Sequence, residues 1–124
     1  FNHLQGFKTG DAEYFTNIRK ASGVINSDLF RPPHGFLRKR QFKFLSENYR
    51  IIMWDVCSMD YQASLKPDKI IRNVRDFARP GSIITFHDSV KAERNLKIAL
   101  PAVIRILKSE GYRFLPIPYL KKVP

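Results

Sequence analysis

The sequence predicts an α/β fold in which short buried strands alternate with amphipathic helices around a parallel sheet. Three observations carry this reading. Two apolar runs, RIIMWDV (50–56) and SIITF (82–86), lack polar alternation, as expected of strands buried on both faces. Between them, KPDKIIRNVRDFA (66–78) sets Ile70, Ile71, Val74, Phe77 and Ala78 at i, i+1, i+4, i+7 and i+8, the apolar stripe of a helix. Strands separated by helices imply parallel pairing through crossovers.

The other elements follow in order. Thr9 or Asp11 caps a helix running to about Ser22, with Tyr14, Phe15, Ile18 and Ala21 on one face. A short strand ends in Leu29 and Phe30. A helix from about Arg38 to Asn48 places Phe42, Leu45 and Tyr49 at helical spacing. The break RPG (79–81) precedes the 82–86 strand, and a last helix spans about Leu96 to Glu110, stopped by Gly111. Pro101 falls in its early turns or kinks it. YRFLPI (112–117) reads as a closing strand.

Composition narrows the class of protein. The 124 residues suit one domain, 1–124, and 44% hydrophobic and 13% aromatic content suffices for a real core and excludes disorder. No apolar run approaches the ~20 residues of a membrane span. Cys57 is the only cysteine, which excludes an internal disulfide framework and leaves the compartment open. The net charge of +11 would suit nucleic acid, anionic lipid or an acidic polymer. The basic residues are scattered, densest at Arg38–Arg40 and at Lys121 and Lys122, and no nucleic-acid-binding signature is present.

In parallel sheets ligands bind beyond the carboxyl ends of the strands. Three successive strand ends carry titratable groups: Arg31-Pro32-Pro33-His34-Gly35, then Asp55, Cys57, Ser58, Asp60 and Tyr61, then His87-Asp88-Ser89. Arginine, aspartate and histidine at these points are the groups of acid–base chemistry.

The set His3, RPPHG, WDVCSMDY and FHDS, in this order, resembles the NodB-like polysaccharide deacetylases. ARPGSIITFHDS followed by LPAVIRILKSEGYRF fits their last βα unit. The resemblance covers essentially the whole chain and implies the C-terminal part of such a domain. It implies a distorted (β/α) barrel, here lacking its N-terminal strands, and metal-dependent hydrolysis of N- or O-acetyl groups on a polysaccharide. Such a fragment has open sheet edges and is expected to pair with the missing N-terminal segment or with another copy of itself.

Residue by residue, the resemblance implies that His3 is one ligand of a divalent metal ion, zinc being expected. The other two ligands and the catalytic base would lie upstream of Phe1. It implies that His87 is the catalytic acid, that Asp60 orients it, and that Arg31 holds the upstream base. Pro33, His34, Gly35, Tyr61 and Thr85 would face the substrate, an acetylated glycan. His34, Cys57, Tyr61 and Thr85 depart from the family's usual residues.

The chemistry suits these side chains. Hydrolysis of an amide needs an activated water, a stabilised oxyanion and a proton for the leaving amine. A divalent ion supplies the first and polarises the carbonyl. Histidine as a class exchanges protons near neutrality. Arginine forks onto carboxylates, and the prolines that follow Arg31 fix its backbone. The His34 N–H would point at the oxyanion. Tyr61 suits the face of a sugar ring, whereas Trp54 lies inside an apolar run and reads as core. Two rivals remain: a degenerate domain that binds or scaffolds glycans, and a basic nucleic-acid-binding domain motivated by charge alone. The expectation is a deacetylase piece, inactive alone, with no nucleic-acid partner.

Overall fold

The computed structural model describes residues 1–117. Its elements are α1 (Asp11–Ser22), β1 (Leu29–Phe30), α2 (Lys39–Ser46), β2 (Arg50–Ile51), β3 (Val56–Cys57), α3 (Pro67–Phe77), β4 (Ile84–Thr85) and α4 (Glu93–Ser109), with 3-10 turns at Gly6–Lys8 and Pro33–Gly35. The chain falls into two compact units that meet at Met53 and Trp54 in sequence. Each is a βαβ unit. In the first, β1 pairs in parallel with β2, Leu29 opposite Arg50; in the second, β3 pairs in parallel with β4, Val56 opposite Ile84.

In the first unit Tyr14, Ile18 and Leu45 form the buried core, flanked by Leu4, Phe15, Phe30, Leu37, Tyr49 and Ile51. The expected face of α1 therefore packs inward. On α2 the expectation fails at Phe42, which is 53% exposed, while Gln41 is fully buried. The reason is hydrogen bonding. Gln41 Oε1 accepts the Arg38 N–H at 3.1 Å, and its Nε2 donates to the Gly6 carbonyl at 2.8 Å and to Asp11 Oδ1 at 3.0 Å. One amide thus closes the α2 N-terminus and ties it to the start of α1. Gly6 permits this approach: a Cβ there would lie 2.8 Å from Gln41 Oε1 and 3.0 Å from the Tyr14 ring.

In the second unit Val56, Val74, Val103 and Leu107 are buried together, with Ile71, Ala78, Ile84, Phe86 and Tyr112 packed against them. Pro67 opens α3 at a position where a missing N–H costs nothing. Ile70 and Val74 point inward as expected, but Phe77 is 67% exposed, one position too far round the helix. Helix α4 begins a turn earlier than expected and sets Asn95, Ala99, Val103 and Leu107 on one face. Pro101 sits inside this helix on its exposed side, and Gly111, at φ 90°, ends the segment.

Three strand expectations are corrected. The run 50–56 is not one strand buried on both faces. It breaks into β2 and β3 around a bend at Asp55, with Met53 exposed. The 82–86 strand contracts to Ile84–Thr85. Residues 112–117 form no strand; Tyr112 instead packs its ring on the α3–α4 core and donates its hydroxyl to the Ala78 carbonyl at 3.2 Å. Lys121 and Lys122, the second basic cluster, lie outside the described residues.

The entry ends of β3 and β4 are clamped by charge. Asp55, just before β3, accepts hydrogen bonds from Ser82 Oγ, just before β4, and from Arg79 Nη2 at 2.6 Å. The Ser82 hydroxyl foremost holds the Asp55 carboxyl below its ordinary value of 3.8; desolvation opposes it, and the Arg79 guanidinium adds to the lowering. A lowered folded-state value stabilises the fold above the unfolded value and loses that contribution as pH falls through the folded one. Thermal melts should therefore show a loss of stability below about pH 4 that is shallower in Asp55→Asn, which starts less stable at neutral pH.

Candidate functional site

The second unit gathers four of the sequence-predicted residues. Asp60 follows β3, and its side chain is 0% exposed. Its carboxylate has three hydrogen bonds. Oδ1 accepts from His87 Nδ1 at 2.7 Å and from Ser58 Oγ at 3.0 Å, and Oδ2 accepts from the His87 backbone N–H at 2.9 Å. His87 follows β4 and keeps 36% of its side chain exposed. A carboxylate only accepts hydrogen bonds, so Nδ1 carries the proton of that contact. The Tyr61 ring stands edge-on to the imidazole, centroids 4.7 Å apart at 77°.

Local backbone explains this arrangement. The ladder bond from the Ser58 N–H to the Thr85 carbonyl, 3.0 Å, sets both strand ends level. Met59 then adopts φ 63°, a left-handed conformation that costs a non-glycine residue about 1–3 kcal/mol and turns Asp60 back toward β4. The sequence reading did not single out Ser58 or Asn95 for the site. Asn95 is buried on α4 and donates to the carbonyls of Asp60 at 3.0 Å and Gln62 at 3.2 Å. An asparagine in register with Ala99, Val103 and Leu107 on an otherwise apolar face was the available signal.

Thr85 is only 8% exposed, and its Oγ1 has no hydrogen-bond partner among the described residues. Cys57, opposite Thr85 in the ladder, is half-buried, and its carbonyl accepts from Asn73 Nδ2 at 2.9 Å.

The first unit holds the other predicted residues. Arg31 leaves β1 and reaches the carbonyls beyond β2, donating through Nε to Ile52 at 3.2 Å and through Nη2 to Met53 at 3.3 Å. The turn after it places His34 at φ 58° and Gly35 at φ 77°, following buried Pro32 and half-buried Pro33. The Gly35 N–H bonds the Pro32 carbonyl at 2.9 Å. His3, at φ 55°, lies near His34, with ring centroids 5.3 Å apart at 70°. His34 Nε2 also meets Gln5 Nε2 at 3.3 Å. A cavity of about 300 Å³ opens beside these groups, lined by His3, Tyr14, Asn17, Phe30, Arg31 and Tyr49 among others.

Among the described residues no three His, Cys, Asp or Glu side chains are placed to hold a metal ion. Two neighbouring imidazoles do not make the three-ligand set that a catalytic divalent ion uses. The described side chains therefore do not fit a metal centre by themselves. No helix among the described residues is long and apolar enough to cross a membrane.

Along nearly all of its own length the chain is similar to proteins named peptidoglycan N-acetylglucosamine deacetylases. Two such proteins of Bacillus cereus are 29% and 30% identical to it, over 95% and 96% of this chain and 46% and 59% of their own lengths. A solved peptidoglycan N-acetylglucosamine deacetylase superposes with a TM-score of 0.85 at 28% identity, covering 93% of this chain and 57% of that one. A mutant CE4 family pseudoenzyme with restored enzymatic activity superposes at 0.77 with 25% identity, covering 91% and 42%. No protein-family model matches the chain. The chain spans about half the length of the curated relatives it matches.

Thr85 offers a measurement on the fold itself. A buried hydroxyl without a partner costs about 1–3 kcal/mol, and valine has nearly the same shape without it. Thr85→Val is expected to stabilise the chain by about 1 kcal/mol in urea unfolding, where a partnered threonine would lose stability.

Proposed function

We propose that this chain is the C-terminal part of a polysaccharide deacetylase, and that it supplies the acid that releases the amine of an N-acylated amino sugar. The observation that carries this is the Asp60–His87 pair: a fully buried carboxylate holding an imidazole by Nδ1, beyond the carboxyl ends of two parallel strands. The homology to peptidoglycan N-acetylglucosamine deacetylases supports the substrate class. In this reading the chain is part of a distorted (β/α) barrel domain whose N-terminal strands belong to an upstream segment.

His87 Nε2 gives its proton to the amide nitrogen as the carbon–nitrogen bond breaks, and the amine leaves neutral. Asp60 fixes the ring and stabilises the imidazolium that precedes transfer. Tyr61 packs on the edge of that ring and limits its rotation. Arg31 is the proposed holder of an upstream carboxylate, and His3 a proposed ligand of a divalent ion completed from upstream. Pro33, His34, Gly35 and Tyr61 form the proposed glycan contacts.

Acetate release from an N-acetylglucosamine oligomer tests this. The complete protein should turn over. His87→Ala should lower kcat by about 10²–10⁴-fold, and Asp60→Asn should lower kcat far more than it changes KM. The chain of 124 residues alone should release little or no acetate. Robust turnover by the chain alone, or undiminished kcat in the His87 variant, would sink the reading.

A second reading is a glycan-binding domain that has lost catalysis. The departures at His34, Cys57 and Thr85, and the presence of a CE4 family pseudoenzyme among the structural relatives, favour it. It predicts oligomer binding by the complete protein without any acetate release.

A further inference from the structure

The first unit carries an apolar pair at its surface, set among cations. Phe7, in the 3-10 turn before α1, and Phe36, just after the turn at Pro33–Gly35, are both exposed, Phe36 by 63%. Their rings meet edge to face, centroids 5.8 Å apart at 79°, and the Lys8 ammonium lies 5.7 Å from the centre of the Phe7 ring. Large apolar side chains that touch one another in solvent, with polar groups around them, mark a contact surface.

The cations continue along α2. Lys39, Arg40, Lys43 and Phe44 fall at i, i+1, i+4 and i+5, share one face of this helix, and are all exposed. Contacts with α1 and the turn before it fix this face beside the aromatic pair. Arg38 Nη2 donates to the Thr9 carbonyl at 2.6 Å, Arg40 Nε lies 3.6 Å from Asp11 Oδ2, and Phe44 stacks on Phe15 at 4.1 Å. Asp11 also meets Arg38 at 2.6 Å, so one carboxylate faces two guanidinium groups, and Arg40 stays 88% exposed. The first turn of α2 has no acidic residue, although a carboxylate is favoured there; Lys39 and Arg40 stand in it, against the helix dipole. That placement works against folding and favours an anion from outside.

Ring geometry decides between the polyanions that such a surface could meet. A nucleic acid strand stacks successive bases on free ring faces. Phe44 has one face against Phe15, and Phe7 and Phe36 stand nearly perpendicular, so bases cannot lie flat on both. An apolar point among cations suits instead the boundary between lipid headgroups and acyl chains. There phenyl rings enter the apolar edge while lysine and arginine meet the headgroup phosphates.

We propose that the Phe7–Phe36 pair, with Lys8, Lys39, Arg40 and Lys43 around it, is a docking surface for an anionic lipid bilayer. The protein rests on that surface and does not cross it. This inference stands apart from the deacylase reading, and its test needs no turnover.

The test is co-sedimentation of the complete protein with two kinds of vesicle, one of phosphatidylcholine alone and one of phosphatidylcholine and phosphatidylglycerol in equal parts. Binding to the anionic vesicles should be stronger by about tenfold or more, and should weaken as salt is raised. The double variant Lys39→Glu, Arg40→Glu should lower it by about tenfold or more, and Phe36→Ala by about fivefold. Both variants alter exposed side chains and should keep the wild-type far-UV circular dichroism. Equal or absent binding to the two vesicles overturns the inference on the wild-type protein alone, whether or not a variant folds. Binding unchanged in a folded double variant overturns it too, as does tighter binding to single-stranded DNA than to the anionic vesicles at the same salt.

Discussion

The buried carboxylate of Asp60 is the constraint on which the second unit depends. An ionised oxygen pair with no solvent contact persists only where its lone pairs are taken, because breaking such an arrangement costs several kcal/mol. Its donors are the His87 main chain, the His87 ring and Ser58, and the Asp60 carbonyl is held in turn by Asn95 from α4. One side chain therefore ties the exit of β3 to the exit of β4, while its own backbone is fixed by the helix that follows. Charge-assisted bonds of this kind are about twice as strong as neutral ones and are directional. The imidazole has little freedom to turn away.

The two poles of the β3–β4 pair use opposite strategies. At the entry pole Asp55 meets Arg79 and Ser82 in a largely exposed clamp, where screening keeps the gain small. At the exit pole the carboxylate is sealed. The faces differ as well. Val56, Ile84 and Phe86 pack into the α3–α4 core, while His87 beyond β4 keeps part of its ring exposed.

The helices were largely legible in the sequence, because a long periodic stripe overdetermines its own face. Ile70 and Val74 sit where their spacing put them. Phe42 and Phe77 do not, because hydrophobicity alone cannot say which residue at the margin of a stripe turns inward; at α2 the Gln41 amide decides it. The strands were less legible. RIIMWDV reads as one continuous strand because an apolar run carries no internal mark of its ends, yet the chain bends at Asp55 to meet Ser82 and Arg79. YRFLPI has the composition of a strand, but a strand exists only with a partner. The Asp60–His87 contact was reached through motif resemblance and not from pattern. Ser58 was placed at the strand end without a role and Asn95 was not reached, since a buried asparagine announces itself in a sequence only as a flaw in an apolar face.

The contact between Asp60 and His87 joins residues 27 apart, with the whole of α3 and its flanking turns between them. Closing so long a loop is an entropic debt that no local preference covers. It is met only when β3 and β4 have found their register and α3 has packed. A partly folded chain, however helical, holds a separate aspartate and histidine and no oriented pair. The orientation of the His87 ring is in this sense a property of the completed fold, and its hydrogen-bonded Nδ1 proton is a spectroscopic reporter of the moment at which folding is finished.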